Sequence, residues 1–325
     1  MIHSYFNLLF CIWSLTILNF VETYAQELPS PVFERVILDD GKDLIFPTII
    51  KASDHFNNPL GKYYLYTSPH RGANIQMYYS ESVEGPWNFY GTVIDSKIGR
   101  SHHVSAPSAI WNEESNKLFI YVHAPNSTTI WTESTDGLNF KYGGVAVDRK
   151  DLSAKVGYEC KAASYGRVYQ YSLPNIGNRY AMSISAPSLG RGDSIKKNIA
   201  VATSDDGKKW EVRSGVILDD RSLSKEFQFL DAHYFSLNDK HFFIYSLRPR
   251  KNPQSSKVSL HISEVDENWE NSKYLGIFYE GVSDYPDYNN ARGNTYFQEG
   301  DQVYMIYEAG KKHHARLALA RLEID

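Results

Sequence analysis

Residues 62–69 read KYYLYTSP, and this short aromatic strand, which runs into a small or turn residue, recurs four more times along the chain. The later copies are KLFIYVHAP at 117–125, RYAMSISAP at 179–187, HFFIYSLRP at 241–249 and QVYMIYEAG at 302–310. Successive copies begin about 55 to 62 residues apart, which suits one blade of a β-propeller. The repeat therefore predicts five blades.

The segments that flank each copy support the same prediction. The strand that follows reads IQMYYSES, TIWTEST, IAVATSD, VSLHISE and ARLALARLE in the five copies. The strand that precedes reads LIFPTII, HVSAPSAIW, CKAASYGRVYQY, FLDAHYFSL and ARGNTYF. In the first four copies a turn with an aromatic residue comes next, as EGPW, DGLNF, DGKKW and ENW. Asp-Gly supplies the positive φ of a tight turn, and we expect the aromatic residue to pack between blades.

The last repeat ends at the C-terminus, so a strand from the N-terminal side, VFERVIL at 32–38, is expected to close the ring and remove exposed sheet edges. A two-sheet sandwich is the alternative, but it does not account for five copies of one strand order. No helix of useful length is visible. The sequence thus predicts an all-β, single-domain, five-bladed β-propeller over residues 26–325.

The first 25 residues predict export. Residues 6–20 are apolar and uncharged, and Thr23-Tyr24-Ala25 places small residues at the −3 and −1 positions of a signal-peptide cleavage site. We therefore expect a signal peptide over residues 1–25 and a periplasmic or extracellular protein. Cys11 would leave with that peptide, and Cys160 would remain without a disulfide partner. A net charge of −4 indicates neither nucleic acid nor an anionic membrane as a partner.

The repeat also selects candidate site residues. The first strand of each blade lines the axis of a propeller, and the loop between the second and third strands opens on the same face. The candidates on first strands are Phe46, His102, His103, Ser105, Glu159, Lys161, Tyr165, Arg167, Asp231, His233, Arg292 and Asn294. The candidates on loops are His70, Arg71, His123, Asn126, Arg191, Arg248, Arg250, Glu308 and residues 311–314. His and Arg outnumber Asp and Glu, which favours an anionic ligand such as an acidic sugar.

The blade pattern resembles a known family. The GPW and DGxxF/W turns and the Ala-Pro-Ser segment at 106–108 are similar to those of the five-bladed propeller glycosidases, including arabinanases and β-xylosidases. NPLGKYYLYTSPHRG, SVEGPW, HVSAPSAI and SYGRVYQY look like bacterial propellers described only as glycosidase-like. The resemblance implies a catalytic Asp-Pro pair on blade one, where this chain has Phe46-Pro47, and a Glu-Gly-Pro on blade four, where it has Asp231.

The main hypothesis is a carbohydrate-active enzyme that performs β-elimination on a uronate-containing glycan, as a lyase or as a dehydratase at a non-reducing end. Cations neutralise the uronate carboxylate, one group takes the C5 proton and another protonates the oxygen that leaves C4. The candidates for proton transfer are His103 and His123, with Tyr165 as an alternative base. The candidates for substrate binding are His70, Arg71, Arg167, His233, Arg248 and Arg292.

Two alternatives remain open. An exo-acting glycoside hydrolase would use Asp231 and Glu159 as its two carboxylates. A glycan-binding propeller without catalysis would show affinity but no turnover. The elimination needs no cofactor. A divalent metal near the axis is a further hypothesis, with His102, His103, His123, His313 and His314 as its ligands, although no metal-site spacing such as CxxC or HExxH is present.

Overall fold

The five aromatic repeats each form the second strand of a four-stranded antiparallel sheet. This arrangement comes from a computed structural model of the chain, which describes residues 28–69, 72–98, 101–190, 195–220, 226–250, 257–281, 290–310 and 314–323. The predicted signal peptide lies outside these residues and stays a prediction.

The strands follow the order of the sequence, blade by blade. Blade one contains β2 (Leu44–Lys51), β3 (Tyr63–Pro69), β4 (Asn74–Ser80) and β5 (Asn88–Asp95). Blade two contains β6 (Ser105–Asn112), β7 (Lys117–His123), β8 (Thr128–Ser134) and β9 (Lys141–Asp148). Blade three contains β10 (Ser164–Tyr169), β11 (Tyr180–Pro187), β12 (Lys197–Ser204) and β13 (Glu211–Val212). Blade four contains β14 (Phe227–Leu237), β15 (Lys240–Pro249), β16 (Ser259–Val265) and β17 (Ser272–Tyr279).

Blade five joins the two ends of the described chain. It contains β18 (Ala291–Glu299), β19 (Gln302–Ala309), β20 (Arg316–Glu323) and, as its outer strand, β1 (Ser30–Leu38). β1 pairs antiparallel with β20 over its whole length, with two register shifts. The five inner strands, β2, β6, β10, β14 and β18, contact one another in a closed ring. The predicted five-bladed propeller and its closure by the N-terminal strand are therefore confirmed.

The predicted turn aromatics pack between blades. Phe140 lies edge-on to Tyr66 of the preceding blade, with 6.1 Å between ring centroids, and Trp210 lies edge-on to Tyr121 at 5.7 Å. The Tyr66 hydroxyl donates to the Gly137 carbonyl at 2.8 Å. Gly137 has φ +71°, and a Cβ there would lie 2.8 Å from that hydroxyl oxygen. The Asp-Gly turn thus provides both a conformation and a close approach that other residues do not tolerate.

One helix contradicts the expectation of none. α1 (Arg149–Val156) follows β9, and Asp148 and Asp151 form a capping box at its start. Gly157 ends it in the left-handed conformation, with φ 78° and ψ 13°. These caps are local signals that favour a helix even without a strong apolar stripe. Leu152 and Val156 bury its inner face against blades two and three.

Among the described residues, no helix has the length and apolar character needed to cross a membrane.

Candidate functional site

Every inner strand carries an irregularity at the same place, near its start. The pairing with the second strand shifts register between Ile45 and Thr48, Ser105 and Ser108, Ser164 and Arg167, Phe229 and Ala232, and Arg292 and Thr295. Phe46, Ala106 and Tyr165 lie inside these shifts with φ between 54° and 55°, a region that non-glycine residues rarely adopt. Bulges redirect side chains and are frequent beside active sites. Five redirected segments therefore meet around one axis.

Aromatic rings form part of the floor of this central site. The rings of Phe46 and Tyr165 lie 5.0 Å apart, and the ring of His123 stands edge-on to Tyr165 at 4.9 Å. The guanidinium of Arg167 lies 5.6 Å from the centre of the Phe46 ring. Phe46 and Tyr165 are partly exposed, whereas His123 and Arg167 are buried. Tyr165 thus reaches the surface of the site while its neighbours support it from below.

Two histidines form a hydrogen-bonded pair whose proton positions follow from their neighbours. The backbone N–H of Tyr165 points at His123 Nδ1 over a long 3.5 Å, so Nδ1 accepts and Nε2 carries the proton. His123 Nε2 lies 3.0 Å from His103 Nε2, which must then accept. His103 also hydrogen-bonds to the backbone of Gly72. Burial, the neighbouring His103 and Arg167 lower the pKa of His123 to about 3, so the pair is neutral at pH 7.

Asp231 is a buried carboxylate that lies between a histidine and an arginine. Its side chain is fully buried, and its Oδ2 lies 3.2 Å from His233 Nε2 and 3.9 Å from Arg167 Nη2. Burial alone would raise the pKa of Asp231, but His233 and Arg167 hold it below the usual value. Arg167 also donates to the Pro107 carbonyl at 2.6 Å. Asp231 therefore stays ionised within a buried ion cluster.

Glu308 is a second buried carboxyl group, and it contacts blade one. Its Oε1 accepts the backbone N–H of Phe46 at 2.8 Å, and its Oε2 accepts from Arg292 Nε at 2.6 Å. Burial raises the pKa of Glu308 to about 7, against the lowering effect of Arg292. A Cβ on Gly293 would lie 2.0 Å from Oε1, so only glycine leaves room for this carboxyl group. The site thus holds two carboxyl groups whose environments shift their pKa values in opposite directions.

Several guanidinium nitrogens at the floor lack a hydrogen-bond partner among the described residues, although Arg167 Nη2 lies 3.9 Å from Asp231 in an ion pair. Arg167 Nε and Nη2, Arg248 Nε and Arg292 Nη2 are buried with no hydrogen-bond partner among the described residues. A buried polar group without a partner is costly, and such groups in a native protein call for an explanation. Arg248 lies within electrostatic reach of both Tyr165 and Arg292, so these donors belong to one region. The arrangement suits a ligand that brings anionic acceptors.

The buried histidines predict a loss of stability in acid. Burial, with a smaller effect of His103 and Arg167, lowers the pKa of His123 to about 3. Burial also lowers the pKa values of His233 and His261 to about 4, although Asp231 and Glu280, respectively, oppose this effect. The unfolded value is about 6.5, so between pH 6.5 and 4 the unfolded chain binds protons that the folded chain does not. The free energy of unfolding should fall with decreasing pH, by about 1.4 kcal/mol per pH unit for each such proton. Glu308 opposes this trend, because its raised pKa makes the folded chain bind a proton that the unfolded chain has released.

Urea unfolding at a series of pH values across this window measures the slope. Since three histidines act against one glutamate, we expect the midpoint to move to lower urea as the pH falls. His261→Gln removes one histidine that lies outside the central site and should flatten the slope. A midpoint that rises on acidification would show that these histidines are protonated in the folded protein.

The structure brings together most of the predicted site residues. Those that meet around the axis are His103, His123, Tyr165, Arg167, Asp231, His233, Arg248 and Arg292. Glu159 is exposed beside the Cys160–Ser188 bridge, and no contact with Asp231 is present among the described residues. His70 and Arg71 lie outside the described residues.

Glu308 appeared only as a loop candidate without a role, and the structure places it at the centre. The signal for it was the hairpin of β18 and β19, since a tight turn places Arg292 directly opposite Glu308. Opposite charges at facing positions of a hairpin favour a cross-strand pair.

The proposed metal ligands do not assemble in the part of the chain that the structure describes. No group of three or more His, Cys, Asp or Glu side chains there has the geometry to hold a metal ion. His102 is exposed, His103 and His123 bond to each other, and His313 lies outside the described residues.

Comparisons with known proteins place the fold. No protein-family model matches the chain, and no curated protein matches it. A thermostable family-43 glycoside hydrolase superposes with a TM-score of 0.65 at 12% identity, covering 89% of this chain and 92% of that one. An endo-arabinase from Bacteroides thetaiotaomicron gives 0.63 at 13% identity, covering 90% and 98%. The α-L-arabinofuranosidase PaAbf62A from Podospora anserina gives 0.61 at 11% identity, covering 91% and 98%.

These identities are low, so the likeness concerns architecture and carries no catalytic residue with it. The coverage extends over almost the whole of each partner, which matches the five blades and the closed ring described above. The chain has the five-bladed β-propeller fold of these glycoside hydrolases.

Proposed function

We propose that this protein is an exported enzyme that acts on an acidic glycan by β-elimination at a uronate residue. The observation that carries the proposal is the pair of Arg248 and Arg292 at the floor of the central site, each with a guanidinium nitrogen that has no hydrogen-bond partner among the described residues. Charge-assisted hydrogen bonds from guanidinium to carboxylate are among the strongest polar contacts in proteins. A uronate carboxylate would supply the acceptors that these nitrogens lack.

The reaction requires that cations neutralise the negative charge of this carboxylate. The proton on C5 becomes acidic when cations stabilise the charge that develops on the carboxylate as the proton leaves. Arg292 and Arg248 are partly exposed and can reach a ligand, whereas Arg167 is held below them. We assign Arg292 and Arg248 to the carboxylate.

Tyr165 is our candidate for the acid. Burial and the charge of Asp231 raise the pKa of its phenol, so Tyr165 carries its proton at neutral pH. It can donate that proton to the oxygen that leaves C4. Its left-handed backbone conformation, at φ 55°, is a strained position of the kind that occurs at functional sites.

His103 is our candidate for the base. It is the partly exposed member of the histidine pair, and burial lowers its pKa, so it is neutral. Its Nε2 accepts a hydrogen bond from His123 in the structure, and in the proposed reaction this bond breaks so that Nε2 can accept the C5 proton. The C5–H and C4–O bonds break, a C4=C5 double bond forms, and the leaving oxygen takes the Tyr165 proton. A glycosidic leaving oxygen makes the enzyme a lyase, and a free hydroxyl makes it a dehydratase.

Glycoside hydrolysis is the second candidate, and the likeness to solved glycoside hydrolases favours it. The observation in its support is the pair of Asp231, held ionised, and Glu308, whose pKa is raised to about 7. Two carboxyl groups with pKa values shifted apart are typical of a base or nucleophile and an acid. Glu308 would then take the role that the sequence suggested for Glu159. Against this candidate, Asp231 and Glu308 are only 1% and 2% exposed and are bound to arginines.

Product analysis distinguishes the two reactions. The protein is incubated with a panel of uronate-containing oligosaccharides in water labelled with heavy oxygen, and the products are followed by near-ultraviolet absorbance and mass. Elimination produces a conjugated unsaturated uronate and incorporates no label. Hydrolysis produces saturated products and places one labelled oxygen in the new reducing end.

Each outcome has a distinct meaning. Absorbing, unlabelled products are the expected result, with loss of water alone indicating a dehydratase. Saturated, labelled products would overturn elimination in favour of hydrolysis. Binding without any product would support the alternative of a glycan-binding propeller without catalysis.

A further inference from the structure

A row of cations lies beside the central site, on blades three and four. Lys161 donates its backbone N–H to the Pro187 carbonyl at 2.7 Å, and Pro187 is paired with Lys197 across β11 and β12. Lys161, Pro187 and Lys197 therefore lie side by side on three neighbouring segments of blade three. Arg248 and Arg250 follow at the end of β15, in the neighbouring blade. We call Lys161, Lys197, Arg248 and Arg250 the cationic strip.

One carboxylate lies within the strip and is bound from two sides. Asp220 Oδ2 accepts the backbone N–H of Lys197 at 2.6 Å and a hydrogen bond from Arg250 Nη2. Arg250 is 7% exposed and also donates to the Ile195 carbonyl at 2.7 Å. Arg248, Arg250, Lys161 and Asp220 all act electrostatically on Lys197, so in this group of five the cations outnumber the one carboxylate. Asp219 and Glu226, which are nearby in sequence, have interactions of their own.

The strip retains donors that protein groups do not use. Arg250 Nε and Arg248 Nε are buried without a hydrogen-bond partner among the described residues. Burial, followed by the charges of Arg248 and Arg250, lowers the pKa of Lys197 to about 7, while Asp220 raises it. A cluster of like charges is destabilising unless a ligand of opposite charge binds to it.

Arg248 connects the strip to the central site. It acts electrostatically on Tyr165 and Arg292 at the floor and on Lys197 in the strip. A ligand whose carboxylate lies on Arg292 and Arg248 would therefore extend its next sugar towards Lys197 and Lys161.

We propose that the cationic strip binds a second anionic group of the acidic glycan, a sulfate ester or a uronate carboxylate, on the sugar next to the one that reacts. This inference rests on the proposed function for the identity of the glycan, but the binding of an anion by the strip is tested separately. The substrate would then be a polyanionic chain instead of a glycan with a single acidic sugar.

The test compares wild-type protein with Lys197→Gln and Lys196→Gln. Lys196 is the matched control, since it is the adjacent residue, is exposed and lies with its Nζ 5.4 Å from the centre of the Tyr158 ring. Dissociation constants are measured by calorimetry for inorganic sulfate, a hyaluronan hexasaccharide, a chondroitin 6-sulfate hexasaccharide and a hexamer of galacturonate. Sulfate esters occur only in the chondroitin 6-sulfate probe, and adjacent carboxylates only in the galacturonate probe.

We expect Lys197→Gln to weaken binding of the chondroitin 6-sulfate or galacturonate probe by about tenfold. Lys196→Gln should leave it unchanged, and the hyaluronan probe should be the least affected. Binding to the wild type should also tighten as the pH falls below the Lys197 pKa of about 7. That pH dependence should disappear in Lys197→Gln, because the variant lacks the titrating amine that faces Arg248, Arg250, Lys161 and Asp220.

Two results would overturn the inference: equal affinities of wild type and Lys197→Gln for every probe, or no binding of any probe to the wild type. Unsaturated products from wild type, together with unchanged affinity in Lys197→Gln, would refute anion binding by the cationic strip and leave the proposed function in place. Saturated products, together with weakened affinity in Lys197→Gln, would refute elimination but support anion binding by the cationic strip.

Discussion

Tyr165→Phe should lower turnover of a uronate substrate by roughly 100- to 10,000-fold, because general acid catalysis contributes about that much. The substitution keeps the ring, so the contacts with Phe46 and His123 remain and KM should change little. Only the proton for the leaving oxygen is lost. Initial rates followed by the absorbance of the unsaturated product provide the measurement.

Tyr169→Phe is the matched control for this experiment. Tyr169 lies on the same strand, its hydroxyl accepts the backbone N–H of Tyr234 at 2.9 Å, and its ring packs against Tyr234 and Trp269. Its loss should cost about 1 kcal/mol of stability and leave the rate intact. If Tyr165→Phe retained most of the activity, Tyr165 would not be the acid.

Arg167→Met should reduce the free energy of unfolding by about 3 to 5 kcal/mol, because removing one member of a buried charge cluster leaves the other uncompensated. Arg167 is 2% exposed, and the carboxylate of Asp231 would lose its cation while remaining 1% exposed. The Pro107 carbonyl would also lose a donor. Urea unfolding of the purified variant measures the change.

Two further variants make this result specific. Arg213→Met removes an arginine from a more exposed pair with Glu270, 3.0 Å apart, and should cost about 1 kcal/mol or less. Adding Asp231→Asn to Arg167→Met should restore part of the lost stability, since the uncompensated charge is removed. A cost for Arg167→Met no larger than that for Arg213→Met would show that Asp231 does not depend on it.

The fold was predictable because a propeller repeats its own strand order. Five copies of an aromatic strand, each followed by a similar strand and four by a turn aromatic, left little freedom in blade number. Closure by 32–38 followed from the last repeat. The helix Arg149–Val156 was missed because its signals are the caps at Asp148 and Gly157, which lie outside the repeat.

The composition of the site was predictable only in part. The repeat identified which strands and loops meet, and so it found Tyr165, Arg167, Asp231 and Arg292. It did not reveal which of them are exposed, because that depends on bulges where Phe46 and Tyr165 adopt a backbone conformation typical of glycine. The residue types at these positions do not predict such a conformation. Glu308 was undervalued for a related reason, since its importance arises from contact with a backbone N–H of the neighbouring blade one, 262 residues away in the sequence.

The pairing of β1 with β20 imposes an order on folding. β1 is the first described strand to leave the ribosome and β20 is the last, so the ring is completed only after nearly the whole chain has been synthesised. Contacts between such distant segments form slowly, because a long loop must close before they stabilise anything. Until then β1 has no partner and blade five is incomplete. A chain with this topology therefore remains open until its last strand has been synthesised.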